Sequence, residues 1–592
     1  MTQSGHGAIF FAVLKKKYFW HSGIACVLAA GIAAQAQRPA QSAQEDTSCE
    51  SSVAASPFIP VDSWIYPAVL RLYGLGYVDS AFLGLRPWTR VNLGHFIDEA
   101  NVGLAGATDG TATDEAQRIV AALRGEWLSE ASGCGEKHGQ ARVESVYSVV
   151  RGISGTPLRD SFHLGSTFVN DYGRPYENGA NNFTGASGYA TSGRFTVYLR
   201  GEFEGAPSAA GYSRALGQTL SGYDQTTFLN PITGLPNYQA TIPLGPIGTV
   251  TQGRIQEAYV SAQVLNHVIS FGKQDEWMGP GEGGAMAYSN NAEGIYAFHI
   301  NRVEPLMIPF LSRLTGPFRY EFLVGPTKGH NEPLDPWVHV EKLSFRPTPN
   351  LEFGFERTAI WGGKGHTPIT LHSFLKSFFS TSAPQQDEKN SRNDPGARFG
   401  AFDFSYRLPF ARHWLTLYTD SEVHDDMSPI DAPRRASWHP GLYLSHVPGL
   451  PKLDLRAEAA YTDPPITNSH SGQFMYWEGV QKQGYTNNGQ LFGDWVGRED
   501  KGGQLWATYH LSGNEWIKAD WRHQKAAKDF ISGGTTLNDV DFQLVKRLGH
   551  DFEINGNFKL EHWKAPIYKT GLQTVTATTV QLTWYPKRKT TF

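Results

Sequence analysis

From Arg142 onward the sequence repeats with a period of two, and each of the two faces is distinctive. In RFTVYLRGEFE, Phe195, Val197, Leu199 and Phe203 alternate with Thr196, Tyr198, Arg200, Glu202 and Glu204. In FEINGNFKLEHW, Phe552, Ile554, Phe558 and Leu560 alternate with Glu553, Asn555, Asn557, Lys559 and Glu561. TTVQLTWY sets Val580, Leu582 and Trp584 against Gln581, Thr583 and Tyr585. A side-chain period of two is that of a β-strand. Soluble sandwiches and propellers also alternate, but here the second face carries dense charge within single strands, as in a barrel with an apolar outside and a polar bore. Past the N-terminal segment no run reaches the ~20 apolar residues of a membrane-spanning helix. Closure of strands into a barrel is the remaining way for such a chain to cross a bilayer.

Tight connections at RPTPNLE (346–352), SGNEW (512–516) and RLGHDFE (547–553) alternate with long polar stretches at 378–398, 420–440 and 463–503. Short turns on one rim and long loops on the other are the layout of an outer-membrane barrel. Residues 141–592, at roughly 25 residues per strand and loop, allow about 16–20 strands. The composition agrees: 592 residues exceed one ordinary domain, and 63 Gly with 13% aromatic but only 18% charged residues lean toward β-structure. A net charge of −4 argues against a nucleic-acid partner.

The N-terminal region has a different texture. Lys15, Lys16 and Lys17, an apolar run from Ile24 to Ala34, and Ala34-Gln35-Ala36 predict a signal peptide over 1–36 and hence export. Residues 37–56 are small and polar, a disordered linker. Residues 57–140 read as a small helical domain. One helix runs through SWIYPAVLRLYGLG, with Asp62 or Ser63 as cap and Gly74 or Gly76 as stop; a second covers Arg90 to Ala100, and a third begins near Asp114. In an oxidising compartment Cys49 and Cys134 are free to form a disulfide, the alternative being two unpaired thiols. The chain ends at Phe592, a terminal aromatic of the kind that outer-membrane assembly machinery reads.

Chemical motifs are sparse. Gly279-Pro280-Gly281-Glu282-Gly283-Gly284 spells G-x-G-x-x-G after the strand-like HVISFG, with Glu304 about twenty residues on. The dinucleotide fingerprint requires a helix directly after the loop; AMAYSNNAEGIYAFHI offers Asn290, Asn291 and then an alternating strand. An exported chain would not meet NAD, so no cofactor is expected and the glycines are read as a tight or infolded loop. No G-x-S-x-G, H-E-x-x-H or C-x-x-C occurs, and neither enzymatic activity nor a metal site is expected. The cluster DSEVHDDMSPIDAPRR, with Asp420, Glu422, His424, Asp425, Asp426, Asp431, Arg434 and Arg435, reads as a solvated loop, a sugar-binding loop, a hard-cation site or a carboxylate pair for glycoside cleavage. Trp277, Trp361 (near Lys364 and His366) and Trp495 (near Arg498) sit beside polar groups, as polysaccharide-binding loops require, although an aromatic girdle at the membrane interface uses the same residues.

The phrases WMGPGEGGAMAYSNNAEGIYAFHINRVEP, GPFRYEFLVGPTKGH, LEFGFERTAIWGGKGHTPITLHSFLKSFFST, RNDPGARFGAFDFSYRLPF and DSEVHDDMSPIDAPRR resemble the Wzi-type capsule-assembly family, as does SWIYPAVLRLYGLGYVDSAF…LRPWTR in the helical part. The resemblance implies an outer-membrane antiparallel β-barrel of about eighteen strands over a small helical periplasmic domain, and a lectin-like, non-enzymatic role attaching capsular or extracellular polysaccharide to the surface. The alternative is a porin with an N-terminal plug or wall-anchoring domain. The polysaccharide-contacting candidates are Trp277, Trp361, His366, Asp420, Glu422, His424, Asp425, Arg434, Arg435, Trp495 and Arg498.

Overall fold

The computed structural model describes residues 55–591 apart from 108–109, 132–138, 381–384, 466–470, 550 and 587–588. The expected signal peptide, most of the expected linker, Cys49, Cys134 and Phe592 lie outside the described residues.

Eighteen antiparallel strands close into one barrel. In chain order they are β1 (Gln140–Ser154), β2 (Gly179–Ser192), β3 (Phe195–Ala206), β4 (Val250–Val264), β5 (His267–Lys273), β6 (Tyr296–Arg302), β7 (Phe318–Pro326), β8 (Trp337–Thr348) and β9 (Leu351–Trp361). The sheet continues with β10 (Ala397–Arg407), β11 (Leu415–His424), β12 (Ser437–Leu444), β13 (Leu453–Tyr461), β14 (Asp500–Ser512), β15 (Glu515–Ala526), β16 (Thr536–Leu548), β17 (Phe552–Ala565) and β18 (Lys569–Trp584). Each strand pairs with its sequence neighbours, and β1 closes the ring against β18, with Val146 opposite Trp584 and Ser154 opposite Thr576. Lys589–Thr591 then pairs with residues 140–142 as a further short segment. Closure removes the edge strands that an open sheet of this size would expose.

Alternation fixes the faces. Phe195 and Leu199 project outward, 61% and 54% exposed, while Tyr198, Arg200 and Glu202 between and beyond them are buried in the bore. Val540 faces Leu560 and Phe542 faces Phe558 across β16 and β17, all four outward, so the outer surface is a continuous apolar band. Leu560→Arg is therefore expected to destabilise the barrel by about 2–4 kcal/mol in equilibrium unfolding from liposomes, whereas an arginine at an already polar bore position such as Asn557 leaves that lipid-facing penalty out.

The two rims differ as anticipated. Two-residue turns lie at 193–194, 265–266, 349–350 and 513–514, all at the end where β1 begins, although that end also carries the 303–317 connection and the opposite end has one short connection at 566–568. The opposite end carries the long connections 155–178, 207–249, 274–295, 362–396 and 462–499. All three expected loops take in some strand, 397–398 belonging to β10. Asp420 to His424 belongs to β11 and Ser437–Leu444 is β12, leaving 425–436 as the loop; 500–503 likewise belongs to β14.

Among the described residues, three helices precede the barrel: α1 (Ile65–Leu75), α2 (Arg90–Ala105) and α3 (Thr111–Ala131). Gly76, at φ +84°, ends α1 by turning its N–H back onto the Tyr73 carbonyl at 3.0 Å. A reciprocal capping box between Thr89 and Asn92 starts α2, which outruns its expected end by five residues, to Ala105. Leu72, Trp88, Leu93 and Leu123 form the core between the helices.

This helical unit sits in the mouth of the barrel at the short-turn end. Strands from around the whole circumference grip it: Asp454 of β13 holds Arg71 at 2.9 Å, and Glu352 of β9 accepts from the Leu83 and Gly84 amides at 2.8 and 3.0 Å. Arg407 of β10 donates to the Tyr73 carbonyl at 2.8 Å, Arg200 of β3 pairs with Asp62 at 2.7 Å, and Glu144 of β1 pairs with Arg90. The charges that alternation sends into the bore thus meet partners on the helices, as buried charges must.

Candidate functional site

The connection between β5 and β6, residues 274–295, contains the glycine cluster and descends into the bore. It meets the helical unit through a two-bond backbone bridge: the Arg86 N–H donates to the Trp277 carbonyl at 3.0 Å, and the Trp277 N–H returns to the Arg86 carbonyl at 3.1 Å. Two carboxylates on the barrel wall then anchor its far limb. Glu458 of β13 accepts from the Glu282 and Gly283 amides at 2.8 and 2.9 Å, and Asp420 of β11 accepts from the Met286 amide at 2.6 Å. The glycine-rich turn does present amides to an anion, but the anion is the side chain of Glu458 rather than a phosphate. A Cβ at Gly283 would collide with the Gln504 side chain and lie 2.9 Å from Glu458, and one at Gly284 would lie 2.5 Å from Asp494, so only glycine admits this approach. Tyr418 donates to Glu458 at 2.5 Å, and His439 bridges Glu458 and Asp494 at 2.9 and 2.7 Å.

The long-loop end is closed by a second polar knot. His163, in the 155–178 segment, lies with Nδ1 3.0 Å from Asp160 and Nε2 3.0 Å from Asp224, which follows the helix α4 (Arg214–Tyr223) in the 207–249 loop. Arg498 of the 462–499 segment donates to Asp224 at 2.8 Å, and the Trp477 indole donates to the Asp224 carbonyl at 3.1 Å. Burial opposes a charged imidazole, but the flanking carboxylates of Asp160 and Asp224 outweigh it and push the His163 pKa up to about 9. Burial would raise Asp224; His163 and Arg498 instead hold its carboxyl below the usual range. Three separate infolded loops therefore converge on one aspartate.

Between this lid and the helical unit remains a cavity of about 610 Å³, lined among others by Asp62, Arg200, Arg522, Asp541, Trp506 and Trp516. On the outer side of the long-loop end, a separate open groove of about 690 Å³ is lined by Trp337, Lys364, His366 and Arg392 together with Asp335 and Asn390. Lys364 pairs with Asp335 at 2.6 Å with both side chains largely in solvent, and His366 is held by Asp394 at 2.8 Å. Trp337 packs against Trp361 with ring centroids 6.5 Å apart.

The model of the capsule assembly protein Wzi family matches residues 149–578, nearly the whole barrel. The chain belongs to the Wzi family. A curated Klebsiella pneumoniae protein of the capsule (cps) region, described as an uncharacterized 55.8 kDa protein, is 26% identical over 172 residues, spanning 29% of this chain and 33% of that relative. The solved structure of Wzi from Escherichia coli, an outer-membrane protein described as a carbohydrate-binding β-barrel involved in group 1 capsule assembly, superposes with a TM-score of 0.61 at 15% identity. That match covers 89% of this chain and 99% of the other. This Wzi-family chain thus shares the barrel fold of that outer-membrane protein.

Within the Wzi-family barrel the expected sugar-contacting residues divide into two sets. Asp420, Glu422 and His424 alternate along β11 and are buried, not on a solvated loop; His424 stacks on Phe399 with centroids 4.8 Å apart. Trp277, Trp361, Trp495 and Arg498 are also buried, at 4%, 1%, 1% and 1% exposure, so the tryptophans form neither exposed loop platforms nor a girdle at the lipid interface. The second set lies toward the rim: His366 lines the groove, Asp425 pairs with Lys389 at 3.4 Å, Arg435 pairs with Asp426 at 3.1 Å, and Arg434 is exposed. Trp337, Asp335 and Arg392 escaped notice in the sequence. The signal was the aromatic at the start of a strand in LDPWVHVEKL, next to turn residues, which places it at a rim.

Proposed function

We propose that this protein is a lectin-like component of capsule assembly that holds capsular or extracellular polysaccharide at the outer face of the outer membrane. The observation that carries the proposal is the groove of Trp337, Lys364, His366 and Arg392 at the long-loop end of a barrel whose bore is crossed by infolded connections. An indole face packs against the C–H face of a sugar ring, while ammonium, imidazole and guanidinium groups address hydroxyl and carboxylate substituents. The long-loop end is then extracellular, and the helical unit lies on the periplasmic side. Trp361, behind Trp337, sets the orientation of that ring.

The chain acts here without catalysis: Asp420 and Glu422 are both buried, and Asp420 is occupied in holding the Met286 amide. Lipid contacts the apolar band, and the outer-membrane assembly machinery reads the C-terminal strand ending at Phe592. Cys49 and Cys134 are our proposed disulfide. Glycan binding by the refolded full chain tests the function, with Trp337→Ala expected to weaken affinity about tenfold, the loss of roughly 1.4 kcal/mol. Retention of full affinity by Trp337→Ala and Arg392→Ala together would place the sugar elsewhere. A deletion strain is expected to release its polysaccharide to the medium; unchanged cell-attached polymer would remove the function altogether.

A further inference from the structure

Away from the groove and both polar knots, the bore wall holds a compact group of three side chains from three segments: Glu276, just past β5, His299 on β6 and Glu321 on β7. All three are buried. His299 Nδ1 lies 3.1 Å from Glu276 Oε1 and 4.0 Å from Glu321 Oε1, and one potential ligand atom from each residue falls within 4.8 Å of the others. No hydrogen bond of good geometry reaches either ring nitrogen of His299, Oε2 of Glu276 or Oε1 of Glu321, and the two carboxyls face each other and the imidazole. Such a concentration of poorly satisfied buried polar atoms is costly unless a shared proton or a cation fills it. Among the described residues, no lysine or arginine forms an ion pair with Glu276 or Glu321.

The remaining carboxylate atoms are held by neutral groups. Gln274 donates to Glu276 Oε1 at 2.7 Å and is itself fixed by the Ser270 hydroxyl at 2.8 Å; Asn301 donates to Glu321 Oε2 at 2.6 Å. Amide donors that orient a carboxylate without neutralising it are the outer support a metal site uses. Ligands about 2.0–2.1 Å from a tetrahedral ion stand roughly 3.3 Å apart; the 3.1 Å His299–Glu276 separation matches this, and the 4.0 Å His299–Glu321 separation would have to contract.

We propose that Glu276, His299 and Glu321 bind one divalent transition-metal ion of the zinc class. One imidazole nitrogen and two carboxylate oxygens suit Zn²⁺, and the fourth position is left for water. Since Glu276 belongs to the infolded 274–295 connection and the other two ligands to the wall, the ion pins that connection in place. No metal was expected from the sequence, because the three ligands are spread over 46 positions, from 276 to 321, without a recognisable spacing.

The test uses the folded full chain, stripped with chelator and dialysed against Zn²⁺. We expect one zinc per chain, and an X-ray absorption spectrum showing a single imidazole with oxygen ligands. His299→Gln and Glu321→Gln should lose the ion while keeping the heat-sensitive gel mobility of a folded barrel, and His424→Gln should retain it. A metal-free wild-type chain, a spectrum with no histidine or with two, or zinc retained by folded His299→Gln overturns the proposal. If neither variant folds, the wild-type stoichiometry and spectrum decide alone.

Discussion

Replacing Glu458 by leucine is expected to release the glycine-rich connection from the barrel wall. The change strands the Glu282 and Gly283 amides, the Tyr418 hydroxyl and the Nε2 side of His439, all of which now meet this one carboxylate. Each buried polar group left without a partner costs about 1–3 kcal/mol, so the total is on the order of 5 kcal/mol. Hydrogen exchange should show it first, with the Glu282 and Gly283 amides exchanging at least ~100-fold faster, equivalent to roughly 2.7 kcal/mol of lost protection. Planar-bilayer recording gives an independent reading: the wild-type barrel should stay closed and Glu458→Leu should show openings. A steady open pore in the wild type would instead support a transport role, and unchanged exchange in the variant would remove Glu458 as the anchor.

The second large effect is a pH dependence of the lid. The His163 pKa is about 9 in the closed state and about 6.5 when the residue is free, so its contribution to closure is complete below pH 6.5 and disappears as pH rises through 9. A difference of that size corresponds to about 3 kcal/mol. Limited proteolysis of the 155–178, 207–249 and 462–499 loops should therefore accelerate between pH 6.5 and 9 in the wild type. His163→Gln should be cleaved quickly throughout and lose most of that pH dependence. A wild-type profile that is flat across this window would refute the role of the Asp160–His163–Asp224 knot.

These two sites also show which parts of the molecule could be inferred from sequence alone. The wall was legible because Phe195, Val197 and Leu199 alternate with Tyr198 and Arg200, and a lipid-facing exterior makes that contrast sharp. β11 was not, since Ser421 and Val423 contrast little with Asp420, Glu422 and His424, and a strand polar on one face and mild on the other looks like a loop. The infolded segments misled for a different reason. GDWVGRED has the composition of solvated chain, but Arg498 finds Asp224, 274 positions away, and Trp495 packs in the bore. Pairing over such distances leaves no local trace. The rim groove was half visible: Lys364 and His366 stand in one phrase, whereas Arg392 comes from the far limb of the same 362–396 connection and Trp337 from the start of β8.

The Arg86–Trp277 bridge bears on how the barrel carries load. Polymer held at the outer rim would pull along the barrel axis. The 274–295 connection, fastened to the wall by Glu458 and Asp420 and to the helical unit by two backbone bonds, offers that pull a route through the bore. Tension arriving from outside is then shared between the rim and the helices seated at the far mouth, and those helices are gripped from all around the circumference. On the proposed function, this arrangement would anchor the chain against a moving polymer across its whole height rather than at one edge.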